Sequence, residues 1–233
     1  MSKKNAERCK SAQGDLPPPG GGVMMSAIAH CPVHNNERDV TMLKKMIFPL
    51  LAALMLAGCA TSSNTLNVTP KMVLPTQDPT LMGVTVSING ADQRQDQALA
   101  KVNREGQLVT LTPSRDLRFL LQEVLEKQMG ARGYMIGADG AVDLQIVVNN
   151  LFADVQEGNL RYNITTKADI SIIATAKNGS KQVKNYRSTY NVQGAFTATN
   201  DKITNAVNTV LGDVIADMAQ DTSVSEFIKQ NAR

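Results

Sequence analysis

The chain has no tryptophan, only two histidines and only three cysteines among its 233 residues, and where these fall excludes more than their scarcity does. Both histidines (His30, His34) and two of the cysteines (Cys9, Cys31) precede residue 59. From there on the chain holds one cysteine, Cys59, and no histidine. That part can carry neither a Ser-His-Asp nor a Cys-His nucleophile, nor a zinc site built from His and Cys. It cannot form an internal disulfide either. An excess of charge of one sign is also missing. Lys and Arg outnumber Asp and Glu by seven to four before residue 59, and the two are level at seventeen each afterwards. The net charge of +3 and the pI near 8.7 therefore come from the first segment and are no sign of nucleic-acid binding. No glycine-rich phosphate loop and no basic–aromatic pattern is present. A neutral body is not steered toward an anionic leaflet.

What the chain does have is an export signal. Lys44 and Lys45 precede an uncharged apolar run from Met46 to Leu56, followed by Ala57, Gly58 and Cys59. As a helix this run covers about 16 Å, half of a hydrocarbon core near 30 Å, which is too short to span but suits a signal peptide. It is apolar all round, whereas a core helix would show two faces. Leu56-Ala57-Gly58-Cys59 resembles the lipobox of bacterial lipoproteins, with cleavage between Gly58 and Cys59, diacylglycerol on the Cys59 sulfur and an acyl group on its new amine. Two or more acyl chains anchor stably where one does not. Ala60, where the enterobacterial sorting pattern puts Asp to hold a protein in the inner membrane, favours the outer membrane. Residues 42–58 are thus expected to be a signal peptide. Residues 1–41, broken by Pro17-Pro18-Pro19-Gly20-Gly21-Gly22, are expected to be an upstream extension without order, translation starting at Met42 or Met46. Cys9, His30, Cys31 and His34 are too irregularly spaced to make a convincing metal site.

Residues 59–80 are polar and punctuated by Pro70, Pro75 and Pro79, the composition of a tether. The remainder, 81–233, reads as one domain. Met82, Val84, Val86 and Ile88 alternate as a strand closed by Asn89-Gly90. Residues 91–106 are charged and amide-rich, as in a loop. Thr112-Pro113 predicts a helix start, and Leu117, Leu120, Leu121, Val124, Leu125 and Met129 its buried stripe, ended by Gly130 or Gly133. Val142 to Val155 alternates with a phase slip that predicts a bulge near Asn149-Asn150. Leu160 to Ala176 keeps one parity throughout, and Asn178-Gly179 predicts a hairpin into Val183 to Val192. Ile203, Val207, Val210, Leu211, Val214 and Met218 mark a helix from Asn200 to Ala219, and Ser223 with Glu226 a capping box for a final turn. The fold class expected is α+β: a two-layer sandwich of a mainly antiparallel sheet of four to five strands, with two helices on one face.

The lipobox, the run Gln77 to Arg94, the helix Ser114 to Met129 and the ending Glu226 to Arg233 resemble the YajG family of enterobacterial outer-membrane lipoproteins over residues 42–233. The resemblance implies a lipid-anchored, periplasm-facing position at the outer membrane, with Cys59 as the acylated residue and the lipoprotein export and acylation machinery as partners. It implies no activity.

Only carboxylates remain in numbers for acid–base work. Asp92 and Asp96, Asp139 and Asp143, and Asp213 and Asp217 stand four apart, but Arg94 interrupts the first pair and the last lies on a wet helix face. No metal and no cofactor is expected. Tyr162, Tyr186 and Tyr190 suit packing better than a ligand pocket. The favoured reading is a non-catalytic envelope module binding a protein partner, with the loop residues Asp92, Arg94, Asp96 and Arg104 as its contact. The alternatives are a carrier or sensor of a small envelope ligand, a lipid or peptidoglycan fragment, and a hydrolase working with carboxylates alone.

Overall fold

The computed structural model describes residues 64–232. Strands β1 (Thr65–Leu66), β2 (Thr85–Asp92), β3 (Ala100–Arg104) and β4 (Gln107–Pro113) precede helix α1 (Leu117–Arg132). Strands β5 (Met135–Ile136), β6 (Val142–Glu157), β7 (Arg161–Ala176) and β8 (Lys181–Ala195) follow, then helices α2 (Asn200–Gln220) and α3 (Ser223–Asn231). The four or five mainly antiparallel strands and two helices expected from the sequence are corrected, among the described residues, to a mixed sheet of eight strands and three α-helices.

The sheet is organised by β6. On one side it pairs antiparallel with β7 along its whole length, and β7 pairs with β8 in the same way. On the other side it serves two short ribbons in series. Its first half pairs in parallel with β2, from Val86↔Val142 to Asp92↔Val148, with β5 beyond. Its second half meets β3 in parallel at Ala100↔Ala153, with β4 and then β1 beyond. The predicted bulge falls between these two stretches, at the shift between Val148 and Asn150. The register puts Val142, Leu144, Ile146, Val148, Leu151 and Ala153 on the same face as Ile172, Ile170, Ala168 and Ile164 of β7. These residues and the buried stripes of the helices form one core cluster. Where α1 crosses β2, a Cβ on Gly90 would lie 2.3 Å from the Arg118 carbonyl oxygen, so only glycine lets the helix come this close.

Three local expectations shift. Thr112-Pro113 ends β4 instead of starting α1, because β1 claims the backbone there: the Thr112 N–H donates to the Asn64 carbonyl. The N-cap of α1 is Asp116, which accepts from the Arg118 N–H at 2.8 Å, and Gly133 closes the helix at φ +111°. At the start of α3, Thr222 is the N-cap, and its hydroxyl bonds Glu226. The segment expected to be a free tether is laid on the domain from residue 64 onward. Leu66 and Val68 are buried, the Thr69 N–H donates to Asn208 Oδ1 at 2.9 Å, and Gln128 holds the Val73 carbonyl at 3.0 Å.

Candidate functional site

The residues first expected to form a partner-binding loop sit in three different environments. The stretch from Gly90 to Gly106 holds the end of β2, a short link, all of β3 and a tight turn, so it is not one loop. Arg94 has a side chain only 4% exposed and ion-pairs Asp92 at 2.8 Å. Its Nη1 also donates to the carbonyls of Ala98 and Leu151 at 3.4 Å. It fills the gap where the chain leaves β6 after Val148 and returns at Ala153, supplying donors at the junction of the two ribbons. Arg104 spans from β3 to Glu157 of β6 at 3.1 Å and donates to the Ala198 carbonyl. Asp96 remains exposed and pairs with Lys101 at 2.6 Å. Arg94 and Arg104 are struts between elements.

A second cluster gathers where α1 ends beside the end of α2. Arg132 Nη2 donates to the carbonyls of Met218, Ala219 and Asp221 at 2.8–3.0 Å. A cation thus satisfies acceptors that the end of α2 leaves open. Burial lowers the Arg132 pKa, against the neighbouring Tyr134, Tyr186 and Asp221. Burial alone would raise Asp221, but hydrogen bonds from Lys184 and Ser223 outweigh it and hold the carboxyl at about 2. Burial, then the Asp221 charge, pushes the Tyr186 hydroxyl up. Asp78 is held at about 2 by hydrogen bonds from Lys229 and Thr80. Every shifted group in this cluster is thereby fixed in its ordinary ionic state near neutrality, which suits a brace more than a proton-transfer site.

Tyr162 and Tyr186 are buried in the core. Tyr162 lies across β8 where a Cβ on Gly194 would meet its hydroxyl at 2.3 Å, and Lys202 sits over its ring at 4.5 Å. Among the described residues the cavities, about 430–750 Å³, are open grooves lined largely by Asn, Gln, Asp, Arg and Thr.

The face of β6–β8 turned away from the helices carries an ordered polar array. Asn149, the bulged residue of β6, donates to Ser171 Oγ at 2.5 Å and to Asp169 at 3.2 Å. The Ser171 hydroxyl donates in turn to Asn185 Oδ1 at 2.7 Å. Arg187 reaches Asp169 at 2.6 Å with its side chain 69% exposed, and Asn191 donates to Thr165 at 2.9 Å. Beside this array, β8 pairs only with β7 among the described residues, which leave the far edge of this fifteen-residue strand unpaired. Alternation in β7 shows from sequence that Thr165, Asp169 and Ser171 share the face opposite the apolar stripe, where Ser171 is buried beneath its neighbours. The partnership with Asn149 depends on the bulge and on register, which the sequence pattern does not give. Gly58 and Cys59, the signal peptide 42–58 and the segment 1–41 lie outside the described residues.

A mixed sheet with its helices gathered over one side, and an ordered polar surface on the other, defines a small α+β domain. The family model described as "Uncharacterized lipoprotein" matches residues 70–229, and the chain belongs to that family. It is 70% identical over 192 residues to the uncharacterized lipoprotein YajG of Escherichia coli K12, covering 82% of this chain and 100% of that protein. The YajG of E. coli O6:H1 gives the same figures. Among solved structures, a protein from Xanthomonas campestris aligns at TM-score 0.48 and 12% identity, over 71% of this chain and 99% of its own. A putative neuraminyllactose-binding hemagglutinin homolog from Helicobacter pylori aligns at TM-score 0.45 and 8% identity, over 72% and 97%.

Proposed function

We propose that this lipoprotein is a non-catalytic module, anchored through lipid on Cys59 to the periplasmic side of the outer membrane, that binds a protein partner on the helix-free face of β6–β8. It reaches that position through the lipoprotein export and acylation machinery. The observation that carries the reading is the array of Asn149, Asp169, Ser171, Asn185, Arg187 and Asn191, pre-ordered on a face that none of the described helices covers, next to a strand edge that the described residues leave unpaired. Ordered polar groups lose less freedom on binding than mobile ones, and an open edge offers main-chain donors and acceptors to an added strand. The carrier reading is weaker, since a small apolar ligand needs an enclosed apolar pocket and the grooves are open and polar. Of the four residues first expected to make the contact, Asp96 stays available at the margin, while Asp92, Arg94 and Arg104 are engaged internally.

Photo-crosslinking amino acids placed at Arg187 and Asn191, with Phe119 on α1 as reference, test this in intact cells. The expected result is a discrete adduct of one protein from positions 187 and 191 and none from 119. Equal or absent labelling at all three positions would remove the face from consideration.

A further inference from the structure

The three most exposed large apolar side chains of the described residues are Leu108, Leu160 and Phe196, at 72%, 72% and 74%. They lie far apart in sequence, yet the strand registers bring them to one end of the molecule. Leu108 follows the β3–β4 turn, where Glu105 and Gly106 both have positive φ, as a two-residue type I′ turn requires. Leu160 sits in the β6–β7 turn, and the Phe196 N–H donates to its carbonyl at 3.0 Å. The Arg104–Glu157 ion pair ties the two turns together. Phe196 has φ +64°, a backbone that bulky residues rarely adopt, and its side chain remains outside the core.

The described chain begins beside the same end. β1 runs parallel to β4 with Thr65 opposite Thr112, so Asn64, the first described residue, lies on the side of Thr65 that faces back along β4 toward the β3–β4 turn. Asn64 and the turn residues Arg104, Glu105 and Gln107 line one groove. Cys59 stands five residues before Asn64, and five extended residues reach at most about 18 Å.

We infer that this end is a membrane-docking tip: Leu108, Leu160 and Phe196 enter the bilayer interface beside the acyl chains on Cys59. The inference rests on the Cys59 anchor. The lipid commits the occupant, because a surface held within so short a reach of a bilayer meets acyl chains before anything else. Apolar side chains on such a surface sink to about 5–10 Å, the boundary of headgroup and acyl chain. Charges at the tip are of both signs (Arg104, Glu105, Glu157, Arg161), so the contact is apolar and does not dissolve in salt. The domain then stands on its tip with β6–β8 rising away from the membrane and their polar face turned sideways.

The chain has no tryptophan, so Phe196→Trp and Leu160→Trp each introduce a single tryptophan, excited apart from the tyrosines, into the full-length protein. Val183→Trp is the reference: it is 54% exposed at the other end of β8, thirteen residues or about 44 Å from Phe196. Each protein is reconstituted into phosphatidylethanolamine–phosphatidylglycerol vesicles with and without brominated acyl chains, after intact mass has established whether Cys59 carries lipid. Lipidated protein should show quenching by brominated lipid at least about twofold greater at positions 196 and 160 than at 183, unchanged by salt. Lipidated protein with equal, weak quenching at all three positions overturns the tip and leaves the anchor standing. Protein without lipid on Cys59 overturns the anchor and the tip with it. Blue-shifted emission at 196 that follows protein concentration and ignores bromine would assign the patch to a second copy and overturn the membrane reading.

Discussion

The two faces of the β6–β8 sheet are made from alternate residues of the same strands. On the helix side Leu144, Ile164, Ile170 and Ile172 are sealed against α1 and α2. On the other side Asn149, Asp169, Asn185, Arg187 and Asn191 hold one another by hydrogen bonds in contact with water. Both faces are ordered, but by forces of different magnitude. A buried aliphatic side chain contributes about 1.5–3 kcal/mol through removal from water, whereas a hydrogen bond or exposed ion pair contributes about 0–1.5 kcal/mol. The helix side therefore carries stability, and the polar side can change its chemistry at little cost to the fold. That division is what a recognition surface needs.

The comparison is easiest to break at its strongest point. Ile170→Ala, in the dry layer, should lose about 2–5 kcal/mol, while Val183→Ala, half-exposed on the polar side, should stay within about 0.5 kcal/mol. Denaturant midpoints at unchanged slope measure both, and similar losses would mean that the two faces are not energetically distinct. A smaller effect tests the junction of the two ribbons. Arg94→Ser leaves Asp92 partly buried without its ion-pair partner and removes a donor from two carbonyls, and should cost about 2–3 kcal/mol. Lys101→Ser, which removes an exposed pair with Asp96, should cost at most about 1 kcal/mol. Thermal melting at neutral pH separates the two. If the Arg94 variant melts like the Lys101 variant, Arg94 is no strut.

The smallest expected effect depends on pH. The Asp221 carboxyl is held at about 2 in the folded chain against an ordinary 3.8, so its stabilisation is present above pH 4 and is lost as pH falls toward 2. Asp221→Asn should cost about 1 kcal/mol near neutrality. It should also flatten the fall of stability between pH 4 and pH 2. An acid titration of the unfolding midpoint that is equally steep in the variant would show that this brace contributes nothing.

Much of the antiparallel half was legible. β7 alternates over sixteen residues and α2 repeats at helical spacing, so single strands and helices could be placed from side-chain period alone. The bulge beside Asn149 was visible as a slip in that period. The other half was not legible, because parallel pairing leaves no local mark: β2 meets β6 across more than fifty residues of chain. β3 has only Ala100 and Val102 as buried positions, alternating with the polar Lys101 and Asn103, and so resembles a loop. The polar residues proposed to bind the partner could be seen to face water but not to touch. The four first chosen came from reading β3 and its flanks as a single excursion.

The segment next to the anchor has a further consequence, which concerns timing. Every group that seats residues 66–78 comes later in the chain: Pro113 beside Leu66, Gln128 on Val73, Asn208 on Thr69, Lys229 on Asp78. Asp78 and Lys229 are separated by 151 positions. Chain delivered from its N-terminus first thus emerges with this stretch unmatched until the last helix arrives. The meander of β6, β7 and β8, joined by short turns, can pair as soon as it appears. The stretch with which the described chain begins is then the last to settle, so completion of the fold waits on the final helix.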